Sequence, residues 1–334
     1  MYSIIQKALL ACDPEWSHDV SIAFLKRTGR NAFSALYSQS LPDKSIECFG
    51  LQFKNAIGLA AGLDKNGECI DAFAHMGFGF IEVGTVTPRP QAGNEKPRLF
   101  RLPEHKAIIN RMGFNNKGVD YLVNQVKQSN YSGVLGINIG KNKTTPEDEA
   151  LNDYLLCLDK VHEHASYVTI NISSPNTPGL RNLQYGDSLK HLLNGLRHQC
   201  DILNDTHDKR VPLLVKIAPD LDETAIEQIA SALIETGMDG VIATNTTLDR
   251  DTVSNHKYAN EAGGLSGAVL CKKSQAVTEI LHEKLQNKLP IVGVGGISSA
   301  DDARARYKAG ASLLQVYSSF IYQGPALVKE LVNA

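Results

Sequence analysis

The sequence has 334 residues, of which 43% are hydrophobic and 21% are charged, and its formal net charge is -2. This length exceeds that of most single-core domains but suits one α/β barrel with an appendage. Because neutralising nucleic-acid phosphates requires clustered Lys and Arg, the nearly balanced charge argues against a nucleic-acid partner.

Six scattered cysteines, without a CxxC pair or any metal-ligand spacing, predict reduced thiols in a cytosolic protein and no metal site. The amino terminus carries Lys7 as its early positive charge and no long apolar run, so no signal peptide is predicted. No stretch approaches the ~20 apolar residues that a membrane-spanning helix needs. The chain is therefore not expected to cross a bilayer.

Residues 1–37 carry three short amphipathic patterns, and Asp13-Pro14 marks the start of the second. The apolar stripes are Ile4, Ile5, Ala8, Leu9 and Cys12, then Trp16, Val20, Ala23 and Phe24, then Ala32, Phe33, Leu36 and Tyr37. Two interpretations remain open. These helices cover an open end of the domain that follows, or they contact membrane lipid or an apolar ligand.

From residue 56 onward, strand-like and helix-like patterns alternate. The eight predicted strands span residues 56–61, 80–86, 134–139, 167–172, 213–218, 240–246, 291–295 and 313–317. Helical patterns between them include 147–164, 222–235 and 299–309. Eight apolar strands with helical crossovers predict an α/β fold, a (β/α)8 TIM barrel with a small amino-terminal helical extension. Long insertions at 87–115 and 247–268 are expected at the face where barrels keep their chemistry.

Polar residues follow six of these strands. They are Asp64, Lys65 and Asn66 after the first, Thr85 after the second, Asn138 in the third, Asn171 and Ser174 at the fourth, Lys216 in the fifth, and Thr244, Asn245 and Thr246 at the sixth. A single Asn or Lys at a strand end is usually a turn residue or a solvated charge. Because the carboxyl ends of barrel strands converge, this repetition predicts a common binding site.

The fourth strand runs into a loop that Pro175 and Pro178 separate from the sheet. The loop and strand end present neutral hydrogen-bonding groups, on Asn171, Ser173, Ser174, Asn176 and Thr177. Such groups suit a flat, amide-rich ligand better than a metal ion. The same side chains also suit Asx and Ser turns that cap their own backbone, and the stretch alone leaves both interpretations open.

The last two strands predict a phosphate site. Residues 291–297 read IVGVGGI and precede Ser298-Ser299, and the eighth strand ends in Tyr317-Ser318-Ser319. Glycines and a helix amino terminus at this place in a barrel direct backbone N–H groups at an anion. Gly267, in GGLSG, offers a further close backbone approach.

Two other motifs are interpreted as surface features. Gly140-Lys141 resembles the end of a P-loop, but Leu135 and Asn142 occupy positions where that motif needs Gly and Ser or Thr. The sequence His162-Glu163-His164 lacks the helical spacing of a zinc motif.

With these residues assembled, the sequence resembles the dihydroorotate dehydrogenases, specifically the quinone-dependent class 2 family, over nearly its whole length. The motifs that carry the resemblance are AAGLDKNG (60–67), EVGTVTPRPQAGNEKPRLFRL (82–102), NRMGFNN (110–116), INIGKNK (137–143), NISSPNTPGLRNLQ (171–184), KIAPDL (216–221), ATNTT (243–247), GGLSG (263–267) and VGGI (294–297).

The resemblance implies an FMN-dependent enzyme with Ser174 as the catalytic base, where the soluble classes place cysteine. The implied FMN-binding residues are Ala61, Gly62, Leu63, Asp64, Lys65, Thr85, Asn138, Asn171, Lys216, Thr244, Gly267, Gly296, Tyr317 and Ser318. The implied orotate-binding residues are Lys65, Asn110, Arg111, Met112, Gly113, Phe114, Asn171, Asn176, Asn245 and Thr246.

The implied reaction oxidises (S)-dihydroorotate to orotate in de novo pyrimidine (UMP) biosynthesis. Ser174, assisted by a water path or by Thr177, removes the C5 proton while C6 gives hydride to N5 of the flavin. Electrons then pass to a membrane quinone.

Residues 1–40 are expected to form an amphipathic membrane and quinone-access segment, and residues 41–334 the FMN-binding catalytic barrel. His18 and Arg101 are candidates to meet the quinone, although His18 equally suits a solvated helix face. A monomer held peripherally on the cytoplasmic side of the inner membrane is expected.

Two rival functions follow from the same residues. A phosphate-binding barrel lyase or isomerase would use Lys65 or Lys216 as a Schiff base and carry no flavin. A non-catalytic barrel would bind a ligand or partner through the helical segment.

Overall fold

The computed structural model describes residues 2–334, with side chains from Gln6 onward, so the predicted contacts of Ile4 and Ile5 lie outside the described side chains. Within that range the helices are α1 Tyr2–Ala11, α2 Pro14–Thr28, α3 Ile70–His75, α4 Val119–Gln128, α5 Ala150–Val161, α6 Gly186–His207, α7 Glu223–Glu235, α8 Cys271–Leu285, α9 Ala300–Lys308, α10 Ser318–Gln323 and α11 Pro325–Val332. Short 3₁₀ helices include Ala32–Leu36, His162–His164 and Leu180–Gln184.

The strands are β1 Ile46–Cys48, β2 Leu51–Phe53, β3 Ile57–Leu59, β4 Phe80–Val86, β5 Leu99–Leu102, β6 Ala107–Asn110, β7 Val134–Ile139, β8 Tyr167–Asn171, β9 Leu213–Ile217, β10 Gly240–Ala243, β11 Gly264–Gly267, β12 Ile291–Val294 and β13 Leu313–Val316. Eight of them, β3, β4, β7, β8, β9, β10, β12 and β13, form a closed barrel in that order, and every neighbouring pair is parallel. The predicted TIM barrel is therefore confirmed.

Side chains alternate along each barrel strand between the interior and the surrounding helices. On β4, Ile81 and Val83 join the large cluster packed against the helices, whereas Phe80 joins the cluster inside the barrel. The interior positions become polar toward the carboxyl end, since Glu82 follows Phe80 and Lys216 follows Leu214 with a spacing of two. This gradient gives the barrel an apolar amino end and a polar carboxyl end.

An antiparallel hairpin of β1 and β2 closes the amino end. Phe53, on β2, is fully buried with its ring centroid 5.1 Å from that of Phe80, the first residue of β4. A Cβ at Gly240, the first residue of β10, would lie 2.5 Å from the ring of Phe49 in the hairpin turn. The hairpin, which sequence periodicity did not predict, therefore fills the barrel with aromatic rings.

The two long insertions meet each other above the carboxyl end. The first contributes β5 and β6 and the second contributes β11, and together they form a separate three-stranded antiparallel sheet in which Asn110 pairs with Gly264. Helix α2 packs against β5, where Glu15 accepts hydrogen bonds from Arg98 at 2.8 to 3.3 Å. The amino-terminal extension, residues 2–40, is thus attached to the insertion at the carboxyl end.

Two residues interpreted as surface features are buried, so that interpretation was wrong. Lys141 is only 2% exposed because its ammonium group donates to the backbone oxygen of Thr145 at 2.8 Å, and burial lowers its pKa. His162 is fully buried, with its Nε2 atom 2.9 Å from the Asn204 side-chain oxygen. Both are therefore interior side chains with hydrogen-bond partners.

Candidate active site

A cavity of about 150 Å³ opens at the carboxyl end of the barrel. Its lining combines strand ends, the insertion sheet and the glycine-rich end of the barrel. The residues are Ala60, Ala61, Gly62, Lys65, Thr85, Asn110, Met112, Gly113, Phe114, Asn171, Ser174, Asn176, Lys216, Thr244, Asn245, Thr246, Ser266, Gly267, Leu270, Val294, Gly295, Gly296, Ile297, Gln315, Val316, Tyr317, Ser318 and Ser319.

Most of the candidate site residues named from the sequence line this cavity. Of the residues implied to bind FMN or orotate, four do not, namely Leu63, Asp64, Asn138 and Arg111, and the quinone candidates His18 and Arg101 also lie outside it. Asp64 instead accepts hydrogen bonds from the backbone N–H groups of Glu68 and Cys69 at 2.9 and 2.7 Å. Asp64 therefore shapes the loop that carries Lys65.

Arg111 points away from the cavity. Its guanidinium group forms an ion pair with Glu261 at 2.6 Å, donates to the backbone oxygen of Pro97 at 2.7 Å, and stacks over the Phe100 ring. These contacts join the two insertions. Arg111 thus supports the loop between Asn110 and Phe114 from outside.

One wall of the cavity is a connected set of hydroxyl and amide groups. Thr85 donates to the Asn138 side-chain oxygen at 2.6 Å, and the Asn171 amide donates to Thr85 at 2.8 Å and to Asn138 at 3.2 Å. Asn245 donates to Ser173 at 3.0 Å and to the Asn171 oxygen at 3.4 Å. Asn138, fully buried, lies behind the wall and orients Asn171.

Two lysines bring positive charge to the cavity. Burial lowers the pKa of Lys65 to about 8. Burial also lowers the pKa of Lys216, and the negative charge of Glu82 opposes that change. Among the described residues, neither ammonium group has an ion-pair partner within 4.0 Å. Both are placed to receive a ligand with negative charge.

Ser174 lies in the loop that follows β8. Its Oγ atom accepts a hydrogen bond from the Asn176 N–H at 3.2 Å, which leaves its own hydroxyl hydrogen available. The Thr177 hydroxyl is buried and has no partner in the described part of the chain, so the two hydroxyls are not bonded to each other. Arg181 holds the loop by donating to the backbone oxygens of Ser173 at 3.0 Å and Thr246 at 2.8 Å.

At the glycine-rich end, two glycines of the cavity lining pack closely against backbone from other segments. Gly296 has φ +76°, and a Cβ there would lie 2.3 Å from the backbone nitrogen of Cys271. Gly267 has φ +105°, and its Cβ would lie 2.2 Å from the Lys106 carbonyl oxygen. Only glycine fits these positions. The hydroxyls of Ser266 and Ser318 lie 2.8 Å apart beside them.

His18 and Arg101 have different surroundings. His18, on α2, lines a cleft shared with Lys65, and burial together with the Lys65 charge lowers its pKa to about 3, so its imidazole is neutral. Arg101, on β5, donates to the backbone oxygens of Leu9 and Cys12, both at 2.9 Å, and to Ser17 at 3.1 Å. Arg101 therefore fixes the turn between α1 and α2.

Several lining residues carried no role in the sequence analysis, and the most polar of them are Ser266 and Gln315. The spacing of two along a strand identifies Gln315, because it precedes Tyr317 on the same interior face. Its side-chain oxygen is buried and has no partner among the described groups.

The extension exposes a row of large apolar side chains. Trp16 is 53% exposed, Val20 40% and Phe24 49%, at a spacing of four along α2, and Phe33 and Leu36 are 64% and 68% exposed on the following 3₁₀ helix. Among residues 2–334, no helix combines the length and apolar character needed to span a membrane.

Comparisons with known proteins identify the family. Residues 44–334 match the model of the dihydroorotate dehydrogenase family. The chain is 64% identical to "Dihydroorotate dehydrogenase (quinone)" of Pseudoalteromonas atlantica, with 100% of both chains covered. It is 58% identical to the protein of that name from Proteus mirabilis, with 99% of both covered.

A solved structure gives the same result. The dihydroorotate dehydrogenase of Eimeria tenella in complex with ferulenol superimposes with a TM-score of 0.89 at 38% identity, covering 96% of this chain and 90% of that one. The family expected from the sequence motifs is confirmed: this chain belongs to the dihydroorotate dehydrogenases.

Proposed function

We propose that this chain oxidises (S)-dihydroorotate to orotate, with FMN as its flavin and a membrane quinone as electron acceptor, in de novo pyrimidine (UMP) biosynthesis. The full-length relatives named for the quinone-dependent activity support this assignment. The observation that carries it is that Lys65, Ser174, Lys216 and Asn245, from four separate strand ends, line one cavity.

The glycine-rich end of the cavity fits the FMN phosphate. Gly296 and Gly267 present backbone at this end of the cavity, and Ser266 and Ser318 add hydroxyl groups. The phosphate is a dianion that such donors stabilise. In this arrangement Tyr317, whose hydroxyl donates to the Gly62 oxygen at 3.3 Å, supports the neighbouring wall.

The rest of the cavity fits the flavin ring. When bound there, FMN supplies the hydride acceptor. Thr85, Asn171 and Lys216 line this part of the cavity, and the buried positive charge of Lys216 stabilises negative charge that develops during reduction. Thr244 lines the same cavity at the end of β10.

Dihydroorotate has a carboxylate and a ring of amides, and the remaining polar groups complement both. Lys65 binds the carboxylate, while Asn110, Asn176 and Asn245 pair with ring amides and set the orientation of the substrate. The Thr246 hydroxyl oxygen is buried without a partner in the described structure, as expected of a group that awaits a ligand.

Ser174 is the proposed base that removes the C5 proton. Serine is intrinsically a weak base, and no described side chain accepts its hydroxyl hydrogen. Proton removal then depends on a water path rather than on Thr177. The connection of the Ser174 loop to Arg181 holds the hydroxyl in place.

The extension is proposed to bind membrane lipid and to admit the quinone. Its exposed apolar row provides the lipid-contacting surface, and neutral His18 lies where α2 approaches the cavity loop carrying Lys65. Residues 1–40 thus form the access segment and residues 41–334 the catalytic barrel. The proposed state is a monomer held peripherally on the cytoplasmic side of the inner membrane.

An anaerobic absorbance spectrum of the purified protein tests this proposal. The expected result is a flavin spectrum that bleaches on addition of dihydroorotate and recovers on addition of a quinone. A colourless protein that releases no flavin on denaturation would favour a Schiff-base barrel that uses Lys65 or Lys216. A flavin that dihydroorotate leaves oxidised would also contradict the assignment.

A further inference from the structure

Glu82 is a fully buried carboxylate inside the barrel, below the cavity floor. Three donors converge on it: the Asn138 amide at 2.8 Å, the Tyr167 hydroxyl at 2.9 Å and the Gln315 amide at 2.7 Å. An ionised carboxylate only accepts hydrogen bonds, so this environment fits the charged form. Within the described chain, no Lys, Arg or His nitrogen lies within 4.0 Å of it.

The carboxylate determines which way Asn138 faces. Because Glu82 takes the Asn138 NH₂ group, the Asn138 oxygen points upward to the Thr85 hydroxyl at 2.6 Å and the Asn171 amide at 3.2 Å. Asn171 must then donate toward Asn138, which turns its oxygen toward Asn245. Reversing Asn138 would place a carbonyl oxygen against the carboxylate, an arrangement with two acceptors and no proton.

Glu82 also acts on Lys216. It is the charged group that counters the effect of burial on this lysine. The two lie on interior positions of β4 and β9, within the same low-dielectric region of the barrel, where charges interact more strongly than in water. The carboxylate therefore supports both the amide wall and the ammonium group of the cavity.

We propose that Glu82 is a positioning residue for the reaction: its charge fixes the orientation of Asn138, and through it of Asn171 and Asn245, and balances the charge of Lys216. The inference rests on the proposed function, since these amides are assigned to flavin and substrate. Glu82 itself does not line the cavity, so it acts through the residues that do.

The test is the isosteric substitution Glu82→Gln, measured on full-length protein with bound flavin. Glutamine presents an NH₂ group that removes the preference for one Asn138 orientation. The expected results are an orotate Kd, read from the flavin absorbance shift, that rises about tenfold or more, and a flavin midpoint potential that becomes more positive because a buried negative charge is lost.

Two further variants separate positioning from packing. Tyr167→Phe removes one hydrogen bond to the Glu82 carboxylate but leaves the charge of Glu82 and its hydrogen bond to Asn138 in place. The orotate Kd and the flavin midpoint potential of this variant are therefore expected to match those of the parent. The double variant Glu82→Gln/Asn138→Asp exchanges the amide and the carboxylate. The carboxylate at position 138 can then only accept from Thr85 and Asn171, and the double variant is expected to regain much of the orotate affinity that Glu82→Gln loses.

The proposal would be overturned if Glu82→Gln had an orotate Kd within twofold of the parental value and an unchanged flavin midpoint potential. An equal loss of orotate affinity in Tyr167→Phe would also overturn it. If Glu82→Gln fails to fold, orotate binding by the double variant Glu82→Gln/Asn138→Asp tests the proposal instead. Restored orotate binding supports the positioning role, whereas a pair that stays unfolded or binds orotate tenfold more weakly refutes it. A parent protein without flavin, or without any orotate-induced shift, would instead contradict the proposed function.

Discussion

The two ends of the barrel differ in polarity: the amino end is filled with apolar side chains, and the carboxyl end is lined with polar ones. At the amino end, Phe53 and Phe80 pack ring against ring without solvent exposure. At the carboxyl end, the barrel strands and the loops that follow them carry amides, hydroxyls and two lysines around a cavity. The amino end contributes burial of apolar surface, and the carboxyl end retains polar groups available to ligands.

This contrast separates stability from function. Polar groups that face a cavity gain little from folding and become satisfied when a ligand binds, whereas the aromatic end stabilises the fold whether or not a ligand is present. Changes at the carboxyl end are therefore expected to reduce activity with little effect on unfolding. Changes at the amino end are expected to do the reverse.

The largest effect on function is expected from Ser174→Ala. Flavin reduction by dihydroorotate, measured by stopped-flow absorbance without oxygen, should slow by about 10² to 10⁴-fold because the proton acceptor is lost. Flavin content and orotate Kd should remain near the parental values. Equal reduction rates in parent and variant would exclude Ser174 as the base.

The largest effect on stability is expected from Phe53→Ala at the opposite end. Deleting this fully buried ring should lower the free energy of unfolding by about 3 to 5 kcal/mol, measured by urea denaturation. The reduction rate per flavin-containing molecule should be unchanged. A parental unfolding midpoint, or a slowed reduction step at parental flavin content, would contradict the separation of the two ends.

The amino-terminal extension provides a third test. Because it is attached to the carboxyl end, changes in its exposed row are expected to affect membrane binding and quinone turnover rather than stability. Trp16→Ser/Phe33→Ser/Leu36→Ser should weaken binding to phospholipid vesicles about tenfold or more, since each side chain contributes on the order of 1.5 kcal/mol when fully buried. Turnover with a long-chain quinone should fall, and turnover with a soluble dye should not.

The matched control carries Leu156→Ser/Ile202→Ser, two similarly exposed apolar residues on α5 and α6. These substitutions should leave vesicle binding and both assays unchanged. Equal losses in the quinone and dye assays of the extension variant would make the exposed row a structural feature only.

The smallest effect concerns pH. Since burial lowers the pKa of Lys65 to about 8, its ammonium group loses its proton as the pH rises through that value. Orotate affinity should therefore be constant below about pH 8 and fall by up to about tenfold per pH unit above it. Lys65→Met should bind orotate weakly with little pH dependence near pH 8. A parental affinity that is constant to pH 10 would exclude Lys65 as the carboxylate partner.

Local patterns predicted much of this fold because each depends on near neighbours in the chain. All eight predicted barrel strands are present, and the structure places each within three residues of the predicted ends. Helix α7 follows the Asp222 cap, whose side chain accepts from the Ala225 N–H at 2.8 Å. The same reasoning missed the β1–β2 hairpin, since two strands of three residues give almost no periodicity.

Within the site, strand-end residues were predictable but side-chain directions were not. Arg111 follows Asn110 in the motif, yet its partner Glu261 lies 150 residues away and draws it outward. Asn138 ends up behind the wall because Thr85 and Asn171 cover it. Such directions depend on contacts between distant segments.

The sequence by itself determined the number of barrel strands, the alternation of their inward and outward side chains, and the gathering of polar groups at their carboxyl ends. A period of two sets the alternation, and the carboxyl ends of a closed parallel barrel converge on one site. Only the tertiary structure decided which groups face the cavity and which support it. It placed Glu82 beneath Asn138 and the extension against β5, since a buried charge and an exposed helix are each positioned by partners far away in the chain.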